Sequence, residues 1–147
     1  MVKERLLLPG GILLVIVPND FSRFQDMLMQ TVLKDMPEKH YYWVDPPDHL
    51  NYWSIETLKE FLAGRGFKIL HQTTDFPMEF FPLFGEDYVS RPEVGRSAHL
   101  KRVSLEKIFS QTNNHELKDN LYESFLNLGI GRNALIYCSA IRKKRVR

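Results

Sequence analysis

Cysteine is almost missing from this chain. Cys138 stands alone among 147 residues, which excludes an internal disulfide framework and leads us to expect a reducing, cytoplasmic setting. It sits in an apolar stretch, where an inert core thiol is the expected role rather than a nucleophile. Long apolar runs are missing too. The longest, Ile12–Val17, falls far short of the ~20 residues that a membrane-spanning helix needs. It is followed by Pro18-Asn19-Asp20 and not by a small-residue cleavage site, so it does not read as a secretory signal. We find no internal repeat and no low-complexity segment. His40, Asp45, Asp48 and His49 are near one another, yet they match no helical His-x-x-x-His or finger spacing, and no metal is expected.

What is present reads as one domain over residues 1–147, with 44% hydrophobic and 26% charged residues, as in a soluble globular protein. The net charge of +2 is unevenly placed. Arg142, Lys143, Lys144, Arg145 and Arg147 form a basic tail, and the remainder carries an excess of acids. Such a tail could touch phosphate, which leaves an RNA-associated domain as one hypothesis, but a frayed, solvated end is the preferred reading. Elsewhere Lys and Arg are scattered among acids, so nucleic acid is not an expected partner.

The stretch Leu6–Asn19 organises the rest. Ile12–Val17 is uninterrupted, apolar and rich in β-branched residues, which predicts a strand buried on both faces in the middle of an α/β sheet. Pro9-Gly10-Gly11 turns the chain into it from an expected helical turn at Val2–Leu8. Phe21–Met36 follows as an amphipathic helix on the spacing of Phe21, Phe24, Leu28, Val32 and Met36, capped by Asp20 or Ser22 and ended by Pro37. His40–Trp53 reads as an ordered loop, since Pro46 and Pro47 refuse a helix interior. Ser54 caps a helix over Ile55–Gly64, and Gly66 leads into a strand over Phe67–Thr73. Thr74–Glu93 is an irregular Phe-rich loop, with Phe76, Phe80, Phe81 and Phe84 either a lid or packed against the sheet or a partner. Helices over Ser97–Gln111 and Leu117–Leu128 precede a final strand, Asn133–Ile141.

Two segments carry a family likeness. Leu7-Leu8-Pro9-Gly10-Gly11-Ile12-Leu13-Leu14-Val15-Ile16-Val17-Pro18-Asn19 resembles the Pro-Gly-Gly strand of class I S-adenosylmethionine-dependent methyltransferases. Asp48-His49-Leu50-Asn51-Tyr52-Trp53-Ser54, followed by Leu58, Leu62, Gly66-Phe67 and Ile69, resembles that family's turn, helix and next strand. The closing Asn133–Ile141 is similar to its final antiparallel strand. The resemblance implies a partial Rossmann-like methyltransferase sheet of three strands, mixed, with the last strand antiparallel and helices packed on it. It also implies that the chain corresponds to the C-terminal, substrate-side half of the fold. The family's glycine-rich cofactor loop has no counterpart here, because Gly129-x-Gly131 precedes a strand instead of following one.

The resemblance further implies a small-molecule or lipid-type acceptor, bound by Asn19, Asn51, Tyr52 and Trp53. His49 serves either as general base or as an anchor of its loop through backbone hydrogen bonds. S-adenosylmethionine is the cofactor of the complete enzyme, and this chain alone is not expected to bind it tightly. The missing N-terminal half is then a partner, and a bare sheet edge invites self-association. A non-enzymatic interaction module built from half of the fold is the alternative.

Overall fold

The last strand in the chain lies at the centre of the sheet. β3 (Asn133–Ala140) is hydrogen-bonded along one side to β1 (Ile12–Pro18) and along the other to β2 (Phe67–Thr74), giving the order β1-β3-β2. Both pairings are antiparallel, with Val15 opposite Ile136 on one side and Gln72 opposite Ile136 on the other. β1 and β2 therefore point the same way, and their carboxyl ends meet beside the start of β3. The expected mixed sheet is corrected to one whose hydrogen-bonded neighbours are all antiparallel, because β3 separates the two strands that run alike. This computed structural model describes residues 7, 8 and 10–141, so most of the helical turn expected at Val2–Leu8 and the whole tail Arg142–Arg147 lie outside the described residues.

Between the strands run α1 (Arg23–Gln30), a 3-10 turn at Pro37–Lys39, α2 (Ile55–Gly64), the short α3 (Phe80–Leu83), α4 (Pro92–Gln111) and α5 (His115–Leu128). The class is α/β. No described helix is long and apolar enough to cross a membrane.

The expectation that Ile12–Val17 is buried on both faces is overturned. The pleat sends Leu13, Val15 and Val17 against the core, while Ile12, Leu14 and Ile16 are 61%, 40% and 55% exposed on the opposite face. β1 is an edge strand among the described residues. The middle position goes to β3, whose Ala134, Ile136 and Cys138 are wholly buried. Cys138 is a core thiol whose Sγ lies 3.6 Å from the Leu13 carbonyl oxygen, and burial pushes its pKa up.

One core lies between this inner face and α2, where Ile55, Leu58 and Leu62 meet Leu126, Ala134 and Ile136. Ser54 starts α2 as its sequence predicts, accepting from the Thr57 amide at 3.2 Å while Thr57 Oγ1 accepts from the Ser54 amide. Ser22 does the same for α1, reciprocated by Gln25. α1 stops at Gln30 and not at Met36, where the Thr31 hydroxyl donates to the Met27 carbonyl and competes with the helix ladder. α4 starts earlier than expected, with Pro92 in its first turn, where the missing N–H has no helical partner to lose.

A second core gathers Tyr122, Phe125 and Ile130 with Phe24, Phe76 and Phe80. The Phe-rich segment thus divides: Phe76 and Phe80 pack inward, and Phe84 stacks on Phe80 with its outer side exposed.

The turn from α5 into β3 admits no side chain at Gly131. A Cβ there would lie 1.7 Å from Thr74 Oγ1, and that hydroxyl is already held by the Asn133 carbonyl at 2.6 Å. Gly131→Ala is therefore expected to destabilise the fold by about 2–3 kcal/mol through overpacking. Urea unfolding would measure it, and a loss below about 0.5 kcal/mol would mean that the turn relaxes freely.

Candidate functional site

The carboxyl end of β1 delivers Pro18, Asn19 and Asp20 to the place where the 40–53 loop and the start of α2 converge. Asn19 is 3% exposed and its amide is fully engaged. Nδ2 donates to the Gly129 carbonyl at 3.1 Å and the Gly131 carbonyl at 2.9 Å, while Oδ1 accepts from the Ile55 amide at 3.1 Å. One side chain thus ties together the end of β1, the first turn of α2 and the turn into β3. Asp20 is equally buried, and its backbone amide donates to the Trp53 carbonyl at 2.7 Å. Its Oδ2 accepts from the Trp53 amide at 3.4 Å, and its Oδ1 has no partner among the described residues.

These connections shape a cleft of about 390 Å³ against the end of β1. Asp20, Asp48, His49 and Asn51 supply its polar lining, and Val17, Pro18, Leu50 and Trp53 its apolar wall. Three of the residues expected at the site, His49, Asn51 and Trp53, are therefore brought together there. Asn19 and Tyr52 are not among the lining. Tyr52 organises the loop instead: its hydroxyl donates to the His49 carbonyl at 2.8 Å and accepts from the Asp45 amide at 3.2 Å. His49 has an exposed side chain, and its backbone amide closes a turn onto the Asp45 carbonyl. The loop is further fixed by Trp43, a buried ring that meets Phe21, Tyr41 and Tyr42 edge-on. Phe21 and Tyr41 hold positive φ values of 59° and 54°, which non-glycine residues adopt at a cost of the order of 1 kcal/mol each.

Behind this loop lies a polar cluster absent from the sequence-based set. Glu79, 1% exposed, accepts from the Tyr42 hydroxyl at 3.3 Å and from Arg132 Nη1 at 3.4 Å through Oε1, and its Oε2 has no partner among the described residues. Burial drives the Glu79 pKa up against the opposing pull of the Arg132 guanidinium. Burial and the Glu79 charge push the Tyr88 phenol up to about 12, and Tyr42 is raised by the same two causes. Burial acts to lower Arg132, but Glu79, Tyr88, Tyr42 and Asp20 together outweigh it and raise the net value. Asp20 is also raised, first by burial, with the Trp53 amide and the Arg132 charge opposing. The one local signal of this cluster is a lone acid inside Pro77-Met78-Glu79-Phe80-Phe81-Pro82, and a lone Arg between Gly131 and Asn133.

A carboxyl raised on folding holds its proton more tightly in the folded chain. Its share of stability is therefore full below its ordinary value of 4.5 and declines as pH rises through the folded pKa. Stability is expected to fall by up to about 1.4 kcal/mol per pH unit in that window, Asp20 adding to the same slope. Unfolding series at stepped pH would show Glu79→Gln flattening the decline; an unchanged slope would rule out Glu79 as its source.

No group of three or more potential metal-binding side chains occurs among the described residues. A wider groove of about 700 Å³ runs between β2 and α5, lined in part by Lys59, His71, Asp119, Glu123 and Tyr137. Comparison with family models, curated proteins and solved structures gave no match to this chain.

Proposed function

We propose that this chain is the C-terminal, substrate-side portion of an S-adenosylmethionine-dependent methyltransferase acting on a small-molecule or lipid-type acceptor. The observation that carries the reading is the meeting of its two family-like segments at one cleft. The end of β1 and the His49–Trp53 turn lie far apart in sequence, yet both line the same concavity, beyond the carboxyl end of a strand where open α/β sheets place their ligands. The insertion of β3 between β1 and β2 further supports it as fold-level analogy. In this reading His49 takes the proton from a hydroxyl or amine acceptor, with Asn51 and Trp53 contacting the acceptor. Asn19 and Tyr52 hold the wall in place.

The described residues do not fit the cofactor. No glycine-rich loop follows β1 or β2, and Asp75, the acid directly after β2, already accepts from the Asn133 backbone amide at 2.8 Å and its side-chain amide at 2.5 Å. In this reading the cofactor-binding residues come from polypeptide outside this chain. Calorimetric titration of the chain with S-adenosylmethionine is expected to give no binding tighter than ~10 µM, a limit of about 7 kcal/mol. The transcript upstream of the Met1 codon is expected to encode an in-frame strand and glycine-rich loop, and the longer product to bind the cofactor. Tight binding by the chain alone would overturn the division into halves.

A second reading, a non-enzymatic interaction module, is favoured by the exposed Ile12, Leu14 and Ile16 on an edge strand that carries no charged residue. Self-association through that edge is part of it. Leu14→Lys is then expected to shift the chain towards monomer in sedimentation at rising concentration, with stability changed by less than about 1 kcal/mol because the site is partly solvated. A wild-type chain that is already monomeric throughout would remove this reading's support.

A further inference from the structure

The acceptor class can be narrowed from the charge of the cleft, an inference that rests on the reading of that cleft as the acceptor site. Two carboxylates, Asp20 and Asp48, line it, and no Lys or Arg does. Arg132, the cation nearest in influence to Asp20, is hydrogen-bonded to Glu79 Oε1. Asp20 is 3% exposed, yet Oδ1 finds no donor among the described residues, although a buried carboxylate oxygen left unpartnered is costly. Val17, Pro18 and Leu50 add apolar surface to the lining.

We propose that this cleft recognises a small ligand carrying a protonated amine on a compact apolar body. The ammonium is attracted by Asp20 and Asp48, and the apolar body covers Val17 and Leu50. An anionic ligand would meet two like charges in the lining. A neutral hydroxyl would supply one donor but no charge, and hydrogen bonds to charged partners are the stronger ones.

The test uses three probes of similar shape with the whole chain: phenethylamine, 2-phenylethanol and 3-phenylpropionate. Binding is followed by the NMR shifts of the His49 and Trp53 ring resonances at low salt and neutral pH. Phenethylamine is expected to bind about tenfold or more tightly than the alcohol, and the carboxylate not measurably. Asp48→Asn, an exposed site whose change should leave the fold intact, is expected to weaken phenethylamine about threefold while leaving the alcohol unchanged. Alcohol or carboxylate binding as tight as the amine, shifts confined to resonances away from the cleft, or no binding by any probe would overturn the proposal. The readout needs no cofactor and no methyl transfer. Amine binding without an upstream cofactor half would leave this inference standing and remove the methyltransferase reading, and the reverse result would do the opposite.

Discussion

Arg132→Met is expected to lower the unfolding free energy by about 2–3 kcal/mol at pH 8, because it leaves the buried Glu79 carboxylate without its charged partner. The reason is what remains. Glu79 is 1% exposed, and without the guanidinium the side-chain donor left to its carboxylate among the described residues is the Tyr42 hydroxyl. Methionine replaces much of the arginine stem, so the loss reports charge more than packing. The penalty should shrink as pH falls, because protonation of Glu79 removes the charge that Arg132 offsets. Denaturant unfolding at pH 8 and at pH 4 checks both statements. A loss of equal size at the two values would mean that the arginine acts only by filling space.

Asn19→Ala carries the second large effect, a loss of about 2–4 kcal/mol, since it strands the Ile55 amide and two carbonyls at once. Asn19→Asp offers a sharper comparison. A carboxylate could still accept from Ile55, but it has no N–H for Gly129 and Gly131 and would face their carbonyl oxygens. We expect it to be at least as damaging as alanine. Hydrogen exchange should localise the damage, with protection falling first at the start of α2 and in the turn into β3. If instead Asn19→Ala leaves stability intact, the residue is free to serve a ligand, and its place in the acceptor set returns.

The parts of this molecule that the sequence announced are those with local causes. Ser54 as cap, Gly66 as stop and Phe67 as the first strand residue lie within a dozen or so positions, and helix and strand fall where expected. The gathering of His49, Asn51 and Trp53 was also legible, because a rigid loop between a strand end and a helix cap has few places to go. The strand order was less so. Ile12–Val17 is apolar enough for a central position, but apolarity says nothing about which neighbours are available to pair and cover it. Glu79 and Arg132 left only a faint local signal for a related reason. They are 53 residues apart, and each looks like an ordinary surface charge until folding buries the carboxyl against the guanidinium. Asn19 sat in the right place with a different role, since residue type and position do not reveal that all three of its hydrogen bonds go to backbone.

The placement of β3 also sets an order of events in time. Among the described residues β1 and β2 share no ladder with each other and each bonds only to β3, and contacts such as that between Leu13 and Cys138 close over a sequence separation of 125 residues. On a ribosome, both edge strands emerge long before the strand that unites them. Helix α2 and its capping can form early, but the sheet must wait for Asn133–Ala140. Such non-local pairing makes for slow folding, and it leaves the apolar residues of β1 uncovered during the interval. A nascent chain halted before Asn133 would carry two strands with nothing between them.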